Sequence, residues 1–170
     1  MDQPEALRLA AEALDLWQSG RLPEAEGRYR AALSLADPRH SRTPDIHSQY
    51  AGVLNRLHRP SEAGQHLETA LQLELRNDPD ETAAPVLAAR YLLGEHYLAV
   101  GEADSARRVV APSLEAAERP LAWLVEAEAL SLAGAVEEAR AAAGRAVALA
   151  ASAEQRERIR ARLAELLEDA

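Results

Sequence analysis

The chain has 170 residues, a formal net charge of -9 and 48% hydrophobic residues, much of them Ala and Leu, with neither Cys nor Phe. That length supports one contiguous core or one short repeat array. The lack of Cys excludes disulfides, thiolate metal sites and Cys nucleophiles, and the acidity argues against nucleic acid or an anionic membrane as partner.

The Ala- and Leu-rich composition favours helix over sheet, so an all-α protein is expected. All 19 basic residues are Arg, and Ile and Asn are scarce, a composition that points to GC-rich bacterial coding. Met1-Asp2-Gln3-Pro4-Glu5 has neither the basic nor the apolar region of a signal peptide. No apolar run approaches the roughly 18 residues of a membrane span. A soluble, cytoplasmic protein is expected.

Asp2 and Glu5 have capping-box spacing and open a helix carrying Leu7, Leu9, Leu14, Leu16 and Trp17 as far as Ser19-Gly20. Pro23 starts a second helix through Ala25, Tyr29, Ala32 and Leu35, which Asp37-Pro38 ends. A basic, breaker-rich loop follows at 37–45, with Thr43 as the expected N-cap and Pro44 at the first helical position. The third helix runs through Tyr50, Ala51 and Leu54 to about Leu57, and Arg59-Pro60 leads into a fourth through Ala63, Leu67 and Ala70 to about Arg76.

Asp78 and Glu81 have the spacing of another capping box. Pro85 fits either the first turn after a Thr82 cap or a kink in a helix begun earlier. The fifth helix reaches about Val100. The sixth, after Gly101, contains Pro112, where a kink or early end is expected because an interior Pro costs about 3 kcal/mol. Glu118-Arg119-Pro120 starts a seventh helix that ends at Gly134, the eighth spans about Val136 to Ala150, and Ser152 with Gln155 caps a ninth.

The four turns share a pattern. Gly20, His58, Gly101 and Gly134 occupy the turn, and five residues later stand Ala25, Ala63, Ala106 and Ala139. Before the turn, small residues recur at Ala13, Ala51, Gly94 and Ala127, each followed three residues on by Leu16, Leu54, Tyr97 or Leu130. Small residues let two antiparallel helices approach closely, and a single hairpin cannot bury its own apolar face, so such units stack. The turn spacings of 38, 43 and 33 place the excess length in the connections 37–45 and 77–86.

On these residues the chain resembles the tetratricopeptide repeat (TPR) family, most closely at Leu93-Gly94-x-x-Tyr97, Gly101 and Ala106, and at Trp123, Ala127, Leu130, Gly134, Ala139 and Ala146. Glu12 and Glu126 in usually apolar slots, His58 at a turn and Pro112 are departures from it. The resemblance implies a right-handed α-solenoid of four helical hairpins, at about 3–36, 44–76, 83–117 and 119–150, with a capping helix at 152–168. It further implies a concave groove lined by the first helices, holding a peptide or amphipathic helix of a partner protein, without catalysis or a cofactor.

Carried over position by position, the groove residues of chief interest are Trp17, Gln49, Asn55, Arg56, Tyr91, Leu92, Glu95, Leu98 and Glu128, with Leu124 and Val125 in the same register. The positions where some family members clamp a carboxylate hold Ala10, Leu14, Gln49, Ala88 and Leu92, or in the shifted register Ser48, Gly52, Leu92, Leu121 and Val125, and neither set can clamp one. The alternative to an adaptor is a self-assembling module, a homodimer formed through Leu121, Leu124 and Val125 or through Leu163, Leu166 and Leu167.

A basic cluster of Arg39, His40, Arg42, Arg56, His58 and Arg59 could form one positive patch for an acidic partner. Glu62 and His66, four apart on a helix, could supply two metal ligands, but no third is evident and no metal is expected. No phosphate loop, nucleophile elbow or His-Glu-x-x-His occurs, so no enzyme activity is expected.

Overall fold

The structure, a computed structural model, describes residues 1–115 and 119–167. Every regular element among them is an α-helix. The chain forms two compact units, Met1–Ala89 and Arg90–Ala170. The first contains α1 (Gln3–Gln18), α2 (Leu22–Leu35), α3 (Thr43–Arg56), α4 (Pro60–Asn77) and the start of α5 (Ala84–Ala99). The second contains the remainder of α5, then α6 (Ala103–Glu115), α7 (Pro120–Leu132), α8 (Val136–Ala148), α9 (Ala153–Arg162) and α10 (Ala164–Leu167).

Four times, a helix ends in the same two-bond turn. The residues Gly20, His58, Gly101 and Gly134 all have positive φ, between 59° and 80°. Their N–H groups donate to the carbonyls of Trp17, Asn55, Leu98 and Ser131 at 2.9–3.1 Å. The next N–H in each case reaches back to Leu16, Leu54, Tyr97 or Leu130 at 2.8–2.9 Å. This pairing satisfies carbonyls that the helix end would otherwise leave open. The following helix starts at once, with Ala25, Ala63, Ala106 and Ala139 bonded to the carbonyl four residues back. These four alanines are wholly buried, so the recurring small residues are the contact surface between paired helices. His58 adopts the glycine-like conformation while its side chain is exposed.

The starts follow local chemistry, with differences from expectation. The Asp2 carboxylate accepts from the Glu5 N–H at 3.2 Å. Ser152 accepts from the Gln155 N–H at 3.1 Å, while the Gln155 side chain accepts from the Ala151 N–H at 2.8 Å. Thr43 is not a cap. It is the first residue of α3, and its hydroxyl donates to the Asp37 carbonyl at 2.6 Å. Asp78 ends α4 rather than opening α5, and its carboxylate accepts from the Asp80 N–H. Pro85 is the second residue of α5, which corresponds to the first-turn placement. Pro112 lies within α6, which continues to Glu115. The expected repeat end at 116–117, the start of the seventh helix at Glu118 and the last capping-helix residue, 168, lie outside the described residues. The capping segment breaks at Leu163 into α9 and α10.

In the first unit the core gathers Ala13 and Leu9 from α1, Tyr29 and Ala32 from α2, Tyr50, Val53 and Leu54 from α3, and Leu67 and Ala70 from α4. In the second, Ala106 and Val110 of α6 pack with Ala122, Val125 and Ala129 of α7. A second cluster joins α7, the alanines of α8, and Ile159 and Leu163. Gly94 lies so close to this packing that a Cβ there would stand 3.0 Å from both Val110 and Val125. Glu126, in a slot expected to be apolar, is buried and accepts from Arg107 at 3.0 Å.

Ser113 occupies the register of Ala32, Ala70 and Ala146, and its buried hydroxyl has no hydrogen-bond partner among the described residues. Ser113→Ala removes an unsatisfied buried group and raises helix propensity, so it is expected to stabilise the fold by about 1 kcal/mol. A thermal melt should show the midpoint rise by roughly 2–4 °C.

Candidate functional site

The predicted groove residues fall on the first helices of their hairpins, and the two units use them differently. In the first unit, Trp17 in the last turn of α1 is half-buried. Its ring lies against α3 at Gly52, where a Cβ would overlap the ring's Cη2. Only glycine leaves room for this contact, so much of the indole is spent on the α1–α3 packing. Gln49 is likewise engaged, since its side-chain carbonyl accepts from the Tyr29 hydroxyl at 3.3 Å. The Tyr29 ring stacks on Tyr50 at 5.8 Å. Asn55 and Arg56, at the end of α3, are exposed.

Two arginines of the expected positive patch are paired with carboxylates. Arg59 donates to Glu62 and to Glu26, each at 2.6 Å, and Arg42 donates to Asp45 at 2.8 Å. His40 accepts the Arg42 backbone N–H at 3.1 Å. Carboxylates supplied by α2, α3 and α4 thus offset Arg42 and Arg59 within the cluster that the loop sequence suggests, while Arg39 and Arg56 are exposed.

A feature not anticipated from sequence joins α3 to α4. The Nδ1 atoms of His47 and His66 face each other at 2.8 Å, so one ring's Nδ1–H donates to the other's lone pair. The Tyr50 ring stands 4.6 Å from that of His66. Burial, and secondarily the facing His66, push the His47 pKa down to about 4. Burial also lowers His66, against a smaller opposing pull from Glu62. Glu62 itself is held by Arg59. Among the described residues no set of three or more His, Cys, Asp or Glu side chains is arranged around a metal position.

The second unit brings Glu95, Leu98 and Glu128 together around a residue that the sequence pattern does not single out. Arg162, the last residue of α9, donates Nε to Glu128 at 2.6 Å and both terminal nitrogens to Glu95 at 2.8 Å. Two carboxylates thus share one guanidinium in the fork geometry that suits it. These partners hold Arg162 well above the ordinary arginine range, the hydrogen bond to Glu128 contributing most. The Tyr91 hydroxyl is raised, first by burial and then by Glu95, while Arg162 acts in the opposite direction through its charge and a hydrogen bond.

Around this tie is a cleft of about 620 Å³, walled by Leu98, Leu132 and Leu166, with Ser131 and Glu165 also on its lining. Leu92, not among the lining residues, is exposed. Leu124 and Val125, placed in the groove register, are instead buried in the core. Leu163 is buried and Leu166 and Leu167 pack against the α7–α8 cluster, so the apolar side of the capping segment is covered within the chain. One signal could have found Arg162: Glu95, Glu128 and Arg162 stand 33 and 34 residues apart, which continues the repeat register into the last helix.

No known family profile matches the chain. No curated protein matches it either. Solved structures do. A putative kinesin light chain of Podosopora anserina with nearly identical TPR-like repeats shares 19% identity at a TM-score of 0.77, covering 99% of this chain and 88% of that one. A single-residue variant of that protein gives a TM-score of 0.79 at the same identity and coverage. BtubC (BKLC) of P. vanneervenii shares 20% identity at a TM-score of 0.74, over 94% of this chain and 64% of that one. The likeness is one of fold: this chain has the all-α architecture of TPR-like repeat proteins. Among the described residues no helix is long and apolar enough to cross a membrane.

The two units respond differently to substitution and to pH. Arg162→Ala leaves Glu95 and Glu128 facing each other without their cation and unties α9, at a local cost of about 1–2 kcal/mol. Hydrogen exchange should accelerate across 153–167 while amides of α1–α4 keep their protection. The histidine pair sets a pH dependence. A histidine whose folded pKa is depressed stabilises the fold fully above the unfolded value near 6.5, and that contribution is lost as pH falls from there toward about 4. Thermal midpoints should therefore drop between pH 7 and pH 5, before ordinary carboxylates protonate. The His47→Gln/His66→Gln double variant should show a flatter profile over the same interval.

Proposed function

We propose that the chain is a non-catalytic protein-interaction scaffold that holds an amphipathic helix or extended apolar segment of a partner protein on the first-helix face of its repeats. The cleft of the second unit is the site this reading favours. The observation that carries it is the uneven distribution of apolar surface. Leu92, Val100, Leu121, Leu132 and Val136 are all exposed in the second unit, whereas Met1 is the only exposed large apolar residue described in the first. Leu132 is 59% exposed and lies on the cleft wall next to the half-buried Leu98 and Leu166. Apolar walls beside a fixed polar group are what an amphipathic segment needs for burial and register together. TPR-like architecture serves this use because stacked hairpins present a long, continuous face.

Affinity capture from host lysate tests the reading, with wild type run beside Leu132→Asp and Asn55→Ala and bound proteins identified by mass spectrometry. Both substituted side chains are exposed, so circular dichroism melts should match wild type. A partner lost with Leu132→Asp and kept with Asn55→Ala is the expected result. A partner retained by both variants would refute binding in the cleft, and recovery of the bait alone, with a dimer in light scattering, would favour self-assembly.

A further inference from the structure

We propose that His47 and His66 form a two-imidazole site for a divalent transition-metal ion of the Zn²⁺ class. The site lies in the first unit and stands independently of any partner in the cleft. Its geometry comes from a rigid source. The two rings project from α3 and α4, consecutive helices of one hairpin, and their Nδ1 atoms converge to 2.8 Å with ring centroids 5.1 Å apart. The Tyr50 ring, 4.6 Å from His66, limits how that imidazole can turn.

Two facing Nδ1 atoms have room for one proton between them. One ring must therefore carry its proton on Nδ1 while the other offers a lone pair. A metal ion in that position replaces the shared proton and lets both rings coordinate through Nδ1 and keep their protons on Nε2. Zinc binds imidazole nitrogen at about 2.0–2.1 Å, so a near-tetrahedral ion holds two nitrogens roughly 3.3 Å apart. The rings need to separate by only about half an ångström from their present spacing, which small side-chain rotations supply.

Three further features favour a cation there. Both rings are kept neutral by burial, and neutral imidazole is the ligating form. The Glu62 carboxylate, one turn before His66, exerts a favourable field at that ring. The pair is half-buried rather than sealed, so water can fill the remaining coordination positions. No third protein ligand joins them among the described residues. The site is therefore of the open, exchangeable kind rather than the closed four-ligand kind that builds a fold.

Calorimetric titration of ZnCl₂ into the full chain at neutral pH tests the assignment, in wild type, His47→Gln, His66→Gln, the double variant and a His40→Gln control. One ion per chain is expected in wild type and the control, with affinity at least tenfold weaker in each single variant. Because glutamine can keep a hydrogen bond across the hairpin, circular dichroism should show the variants folded. Imidazole ¹⁵N spectra provide a readout that does not depend on substitution: zinc should shift Nδ1 of both His47 and His66 in the wild type. No heat on titration, or binding in the double variant as tight as in wild type, would overturn the proposal. Shifts at other histidines without any at these two would do the same.

Discussion

A single left-handed residue between two helices sets the geometry of each hairpin. Once Gly20, His58, Gly101 or Gly134 takes positive φ, two backbone bonds close the first helix, and the next helix begins within one or two residues. The turn thereby fixes the rotational phase of the second helix against the first. That phase brings Ala25, Ala63, Ala106 and Ala139 to the point of closest approach, where all four are fully buried. It also decides which side of each first helix is left for other contacts. Gly52, Glu95 and Glu128 each lie on that remaining side of their own helix because the turns downstream of them are the same. Left-handed backbone costs a residue with a Cβ about 1–2 kcal/mol relative to glycine, so His58 shows how strongly the surrounding packing holds this geometry.

Much of this could be read from the residues. The turn residues and the small residues at fixed offsets from them are local, periodic signals, and they yield the helix pairs and the all-α repeat fold. The readings that failed involve residues with two possible roles. Thr43 and Asp78 each have the chemistry of an N-cap, but a short polar side chain serves a neighbouring turn equally well, and the choice depends on the carbonyl or N–H that lies within reach. The basic cluster reads as one patch because it is counted without its carboxylates: Asp45 and Glu62 stand three residues from Arg42 and Arg59, and Glu26 reaches Arg59 from α2. Trp17 reads as available because its use depends on the absence of a side chain at Gly52, thirty-five residues away.

Two side-chain constellations were missed for a related reason. His47 and His66 meet across a hairpin, nineteen residues apart, at positions that the repeat pattern does not mark. Arg162 belongs to the last helix pair, where a four-residue helix is all that follows among the described elements, and so it reads as an end rather than as a continuation of the array. Periodicity identifies where helices pack. It does not identify which polar side chains meet once they have packed, because those contacts depend on side-chain length and on neighbours outside the repeat.

The ionic tie that lines the second unit's cleft has a structural consequence. Leucines at 95, 128 and 162 would draw α5, α7 and α9 together and fill the space between them, since burying apolar surface is favourable wherever it can occur. A guanidinium shared by two carboxylates resists that collapse. Its reach is set by the side chain, its hydrogen bonds are directional, and about a third of the arginine side chain stays in contact with water. The tie holds the last helix in register at a distance that leaves the Leu98, Leu132 and Leu166 walls apart. Surface ion pairs add little stability on their own, so spacing is the contribution that this one makes best. The cleft thus combines a fixed ionic tie with apolar walls at Leu98, Leu132 and Leu166.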